Sequence, residues 1–282
     1  MDDRSALDAP RLSRMLAQAL ESAQRSGVTH MPKIRRQPPR ATQPAATPAP
    51  TAVQAFQGSE VTISRTPRPA PPVGTLPVAD VGSQPLEGPV LKTRGERVAA
   101  LEVIQAEVKP CIQCKELATT RTQTVFGVGN PLAQLCFVGE APGADEDERG
   151  EPFVGRAGQL LTKIIEACQL KREDVFILNV LKCRPPGNRP PLPDEVANCR
   201  PFLDRQLAVI RPQYICCLGT TAAQTLLQTD RTIGQLRGKF HDYRGIPVMC
   251  TYHPAYLLRN PGAKRDVWED MKKLMAKLGV NL

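Results

Sequence analysis

The chain has 282 residues, a formal net charge of +9, 28 prolines and nine cysteines. No apolar run approaches the roughly 20 residues that a membrane-spanning helix needs, and Met1-Asp2-Asp3-Arg4 leads into a polar, amphipathic segment rather than a secretory signal. The expectation is therefore a cytosolic monomer without membrane association, whose cysteines are thiols or metal ligands rather than disulfides.

Charge alone does not name a partner. It divides into +5 over residues 1–98 and +4 over residues 99–282, which suits a polyanion and ordinary solubility equally well. Composition is more decisive. Residues 38–91 hold 12 of the 28 prolines and a single aromatic, Phe56, too little apolar surface to offset the entropy of ordering. Three parts are expected: a short amphipathic helical tail over 1–30, a disordered Pro/Ala-rich linker over 31–95, and one folded domain over 96–282. In the tail, Leu12, Met15, Leu16 and Leu20 recur at helical spacing before Gly27. That pattern fits either a weakly structured tail or a docking helix for a protein partner.

Within the domain, a helix over 95–108 presents Val98, Leu101 and Ile104 on one face and delivers the chain to Cys111-Ile112-Gln113-Cys114. Apolar, strand-like runs follow at 135–138, 175–180 and 214–218, with helical runs at 157–169, 194–209 and 220–228 between or after them. This alternation predicts an α/β fold, three layers with a central, mainly parallel sheet. Residues 239–244 and 246–252 read as a strand pair around Gly245, and a last helix over about 264–278 carries Val267, Met271, Leu274 and Leu278.

The first strand and helix are joined by a segment rich in glycine, proline and acids, from Gly139-Glu140-Ala141-Pro142-Gly143 to Pro152-Phe153-Val154-Gly155. Such a backbone turns sharply and lets a ligand approach closely, and open α/β sheets bind ligands beyond the carboxyl ends of their strands. The cysteines divide by setting. Cys111, Cys114, Cys183 and Cys199 stand in polar, proline-rich surroundings, and a C-x2-C pair with two further thiolates can complete either a tetrahedral zinc site or an iron–sulfur cluster. Cys136, Cys168, Cys216, Cys217 and Cys250 lie in apolar runs and read as small buried hydrophobes.

Four separated motifs occur together: Gly139-Glu140-Ala141-Pro142-Gly143, Pro152-Phe153-Val154-Gly155, Asn179-Val180-Leu181-Lys182-Cys183-Arg184-Pro185-Pro186, and His253-Pro254-Ala255-Tyr256-Leu257-Leu258-Arg259. In this order they resemble the family 4 uracil-DNA glycosylases, the iron–sulfur members of that superfamily, over about residues 99–282. The resemblance implies a monofunctional DNA-repair enzyme that flips uracil from single- or double-stranded DNA and hydrolyses its N-glycosidic bond. It implies a [4Fe–4S] cluster on Cys111, Cys114, Cys183 and Cys199. Phe153 would stack the flipped base, beside Ala141, and Asn179 would read its Watson–Crick edge. His253 would donate, as a neutral imidazole, to the uracil 2-oxygen as charge develops there.

Family 1 enzymes carry an aspartate two residues after the first glycine, where this chain has Ala141. That matches family 4 and leaves water activation between Glu140 and Glu146, with Glu140 preferred. Asp145, Asp147 and Glu148 read as a solvated loop. Leu257 and Leu258 would fill the gap left by the extruded base, or anchor their loop in the core, and Arg259 would grip phosphate. Lys182, Arg184 and Arg189 could also meet the DNA backbone. The competing expectation is a non-catalytic DNA-binding repair module that keeps the fold and cluster.

Overall fold

The computed structural model describes residues 90–282. The tail over 1–30 and the linker as far as residue 89 lie outside the described residues. The first helix begins one residue earlier than the sequence suggests. α1 (Arg94–Val108) starts behind Thr93, whose side chain accepts from the Glu96 N–H while the Glu96 carboxylate accepts from the Thr93 N–H.

Six strands form one mixed sheet: β1 (Val128–Gly129), β2 (Leu135–Gly139), β3 (Phe176–Asn179), β4 (Tyr214–Leu218), β5 (Phe240–Tyr243) and β6 (Ile246–Thr251). Their spatial order is β1-β3-β2-β4-β6-β5, the four central strands parallel and the two edges antiparallel to their neighbours. Strict alternation assigns each central side chain to a face. Cys136, Val138, Phe176, Leu178, Ile215, Cys217, Val248 and Cys250 face one layer. Leu135, Phe137, Ile177, Cys216, Leu218 and Met249 face the other.

The first layer consists of α1, α2 (Lys115–Thr120), α5 (Pro193–Ile210), α6 (Thr220–Leu227) and α7 (Ile233–Leu236), through residues such as Leu117, Leu203, Leu207 and Leu236. The second consists of α4 (Arg156–Ala167), α8 (Pro254–Arg259) and α9 (Lys264–Leu278), through Leu161, Ile165, Leu257, Met271 and Leu274. This is the three-layer α/β/α arrangement that the alternation of runs predicts. Among the described residues, no helix is long and apolar enough to cross a membrane.

One expectation needs revision. The acid run after Gly143 is α3 (Ala144–Arg149), not an open loop. The Glu146 carboxylate accepts from the Gly143 N–H at its head, and Gly150 closes it at φ 77°. Asp147 is buried because its carboxylate accepts the Thr122 and Gln123 N–H groups, tying α3 to the segment after α2.

Candidate active site and cysteine corner

Chain order dictates where a site can form. From β2 the chain moves to β3 on one side and then to β4 on the other, so the connections after β2 and β4 diverge. Beyond the carboxyl ends of the strands there lies a cavity of about 850 Å³, lined by the segments after β2, β3, β4 and β6.

Phe153 and Asn179 line it, and Gly139 packs against both. Asn179 is the last residue of β3 and only 2% exposed, and its Oδ1 has no hydrogen-bond partner. A buried amide oxygen left unpaired costs about 1–3 kcal/mol, and of the unpaired buried side-chain atoms among the described residues, Asn179 Oδ1, Gln206 Oε1 and Arg244 Nε, this one alone belongs to a residue that lines the cavity. Phe153 sits at φ 55°, a conformation that bulky L-residues avoid. Its environment holds it there: Arg172 donates to the Pro152 carbonyl at 2.7 Å, and α4 approaches so closely that a Cβ on Gly158 would collide with the Phe153 backbone. Any Cβ on Gly139 would strike both Asn179 Oδ1 and the Phe153 ring. Glycine is required there by contact rather than by dihedral.

His253 follows β6 and caps α8, its Nδ1 accepting from the Ala255 N–H at 3.1 Å. That bond leaves the proton on Nε2. Burial pushes the imidazole down to about 4, with the Arg259 guanidinium adding to the effect, so the ring is neutral at physiological pH and donates through Nε2. It lies 5.4 Å from the Phe153 ring, centroid to centroid. Glu140 and Ala141 line the same cavity, and the Thr221 hydroxyl on α6 donates to Glu140 Oε2 at 2.5 Å.

Glu146 also borders the cavity, but its carboxylate is engaged elsewhere. One oxygen accepts from the Val154 and Gly155 N–H groups and the other from Gly143. It staples the two halves of the loop together, so of the two acids Glu140 is the freer to act on a water.

The sequence pairs Leu257 with Leu258, and the structure separates them. α8 turns Leu257 inward, 1% exposed in the second core layer, and leaves Leu258 39% exposed. Leu257 thus takes the core-anchor role of the two expected for it, and Leu258 is the leucine left at the surface. Arg259 is exposed at the cavity rim. Lys182 must also be withdrawn as a phosphate contact. It is 1% exposed, and its Nζ donates to the Asn179 carbonyl at 2.7 Å. Arg189 is bound to Glu195 and Glu116, and Arg184 donates to Asn188 Oδ1.

Behind Asn179 lies the cysteine corner. Cys111 and Cys114 flank the turn between α1 and α2, Cys183 follows β3, and Cys199 sits on α5. All four pack at one end of the first core layer, none in a disulfide. N–H groups point at their sulfurs: Arg121 donates to Cys183, Asn198 to Cys114, and the Lys182 backbone to Cys199. Donors aimed at sulfur suit thiolates. Among the described residues, no three or more His, Cys, Asp or Glu side chains form a ready single-metal group. The five other cysteines differ. Cys136, Cys216, Cys217 and Cys250 are fully buried strand residues, and burial alone pushes the Cys136 and Cys168 thiols up.

A model of the uracil DNA glycosylase superfamily matches residues 126–272. The chain belongs to that superfamily. It is 46% identical over 183 residues to the type-4 uracil-DNA glycosylase of Archaeoglobus fulgidus, covering 62% of this chain and 92% of that protein. It is 44% identical over 181 residues to the type-4 uracil-DNA glycosylase of Thermotoga maritima, covering 63% and 94%. The type-5 uracil-DNA glycosylase of Pyrobaculum aerophilum is more distant, 32% identical over 151 residues, covering 48% and 66%. Among these relatives the chain sides with type 4.

Two features of the glycosylase cavity escape motif reading. Thr221, which holds Glu140, stands 81 positions away in sequence and has no local signal. Tyr252 and Tyr256 both line the cavity and stack at 5.0 Å. Tyr252 precedes α8 and Tyr256 lies in its first turn, so helical spacing gives no signal for the pair.

Proposed function

We propose that the chain excises uracil from DNA by hydrolysis, releasing free uracil and leaving an abasic site in an uncut strand. The observation that carries this reading is Asn179. Asn179 lines a cavity that also holds the Phe153 ring and a neutral His253, and its buried Oδ1 has no hydrogen-bond partner. An acceptor oxygen suits the N3–H of uracil, and cytosine has no hydrogen there. The names of the type-4 relatives agree with it.

In this reading a nucleotide flips into the cavity, paying the unstacking cost of a few kcal/mol, and its base lies against Phe153. The C1′–N1 bond breaks and its electron pair passes to the uracil ring. His253 Nε2–H donates to the 2-oxygen as negative charge gathers there, which stabilises the transition state more than the bound substrate. Water then bonds to C1′ through its oxygen. Glu140, held by Thr221, orients that water and accepts its proton, while the uracil anion is protonated on release. Among the described residues no lysine lines the cavity to form a Schiff base, so strand cleavage is not expected.

A [4Fe–4S] cluster on Cys111, Cys114, Cys183 and Cys199 would clip the segment after α1 to the segments around β3 and α5. The donor-lined sulfurs fit such a group. Its contribution would be a cross-link that fixes the stretch running from Asn179 to Cys183. Nine free cysteines suit a reducing compartment, and we propose the cytosol.

The test is direct. The protein is incubated with a uracil-containing oligonucleotide, free uracil is measured by chromatography, and the strand is examined before and after alkali. Free uracil with alkali-dependent breaks supports the reading. No free uracil from single-stranded, U·G or U·A substrates overturns it.

A further inference from the structure

The residues between β6 and α9 build a second aromatic feature that the excision chemistry does not use. Tyr252 and Tyr256 are stacked, ring centroids 5.0 Å apart and 30° between planes. Beneath Tyr252 lies the Arg237 guanidinium, 5.2 Å from the ring centroid. This cation is not free to leave. It donates to both oxygens of Asp270 and to the Asp266 carbonyl, and Asp270, 1% exposed, also accepts from the Thr251 hydroxyl. Tyr252 thus contacts both the Tyr256 ring and the Arg237 guanidinium, and the guanidinium is held by a buried acid.

Tyr256 is 38% exposed and borders the same cavity as His253, close to Arg259. Tyr252 packs on the Tyr256 ring and limits its motion, so a partly exposed, held aromatic ring is presented at the cavity wall. Rigid aromatic surfaces beside a cationic side chain are how proteins hold unstacked bases of single strands. A neutral polar ligand or a protein loop has no equal claim on this position, because a flipped nucleotide brings its own strand neighbours to the rim.

We propose that Tyr256 is a stacking platform for the nucleobase adjacent to the flipped uracil on the same strand, taken up when that neighbour is unpaired. The proposal rests on the glycosylase reading and sharpens its substrate: single-stranded or locally melted DNA is favoured, because only there is the neighbouring base free to leave its own stack. Tyr256 touches no reacting atom, so its contribution falls on KM rather than on kcat.

The experiment uses the full chain and single-stranded oligonucleotides with one uracil. The flanking nucleotide, on either side, is a normal base or a tetrahydrofuran spacer that keeps the sugar and phosphate. For the wild-type protein, removing the base on the contacting side should raise KM by about five- to hundredfold, the range for one base–aromatic stack. Tyr256→Ala and Tyr256→Leu should raise KM similarly on the normal substrate and make the protein indifferent to the spacer. Tyr256→Phe and Tyr256→Trp should restore the dependence. The platform is overturned if spacer and Tyr256→Leu effects multiply independently, if the spacer has no effect on wild type, or if all Tyr256 variants lower kcat alike on every substrate. Failure of the underlying reading looks different: the wild-type protein then releases no uracil from any of these strands.

Discussion

The cavity and the cysteine corner share one short stretch, Asn179 to Cys183, yet they obey opposite rules. In the corner, the sulfurs of Cys114, Cys183 and Cys199 each accept an N–H, and even the buried Lys182 ammonium finds the Asn179 carbonyl. In the cavity, Asn179 Oδ1 is left unpaired and Phe153 is held at φ 55°. Unpaired buried polar atoms and strained backbone persist only where the surroundings over-determine them. In the proposed function the corner serves as scaffold, and the cavity is where stability is given up so that a ligand can supply the missing contact.

The comparison can be broken most severely at the scaffold. Cys199→Ser should remove iron from the protein and destabilise the whole domain. A loss of about 4 kcal/mol or more would lower Tm by about 10 °C or more at this size. Cys250→Ser, in the parallel sheet, should keep the iron content of the wild type. Equal iron and equal Tm for Cys199→Ser would show that the corner does not hold the fold together.

Within the cavity the losses should fall on rate instead. His253→Ala should slow single-turnover excision by on the order of a hundred- to a thousandfold while DNA affinity changes little. Cleavage of bound DNA at the wild-type rate would move the principal role to Glu140. Gly139→Ala drives a methyl group into Asn179 Oδ1 and the Phe153 ring. Overpacking of about 1–3 kcal/mol at that point should cut excision by about ten- to hundredfold with iron content unchanged. A fully active variant would mean that these two groups need not keep their places.

The smallest effect is in pH. His253 is neutral in the fold down to about pH 4, against an ordinary value of 6.5. Between these values the unfolded chain binds a proton that the folded chain does not, so stability contributed by the neutral ring is lost as pH falls from about 6.5 toward 4. The excision rate should show no inflection near 6.5, and NMR titration of the imidazole should place its midpoint near 4. A midpoint at 6.5 would remove the neutral-donor assignment.

Sequence pattern reached the architecture because buried parallel strands are short unbroken apolar runs, as at Leu135-Cys136-Phe137-Val138, and the cavity follows from the topology. The acid run of α3 was harder. Its helix depends on Glu146 reaching Gly143, Val154 and Gly155, and two of those partners lie beyond the next turn of chain. Leu257 and Leu258 are equivalent as letters, and only the helical twist of α8 gives one to the core and the other to solvent. Lys182 reads as a surface cation until the corner closes around it. The strain at Phe153 leaves no trace in the sequence at all, since it is imposed by α4 through Gly158 and by Arg172.

The central claim of the proposed function is that Asn179 Oδ1, unpaired in this structure, accepts from the N3–H of a flipped uracil. Single-turnover excision from uracil-containing oligonucleotides, wild type against Asn179→Ala, tests it most directly. Wild type should release free uracil and leave the strand intact, and Asn179→Ala should lose about a hundredfold or more, as when a site built to pair a substrate N–H loses its partner, with preference for uracil over cytosine reduced. Equal rates and equal preference in the two proteins would contradict the account.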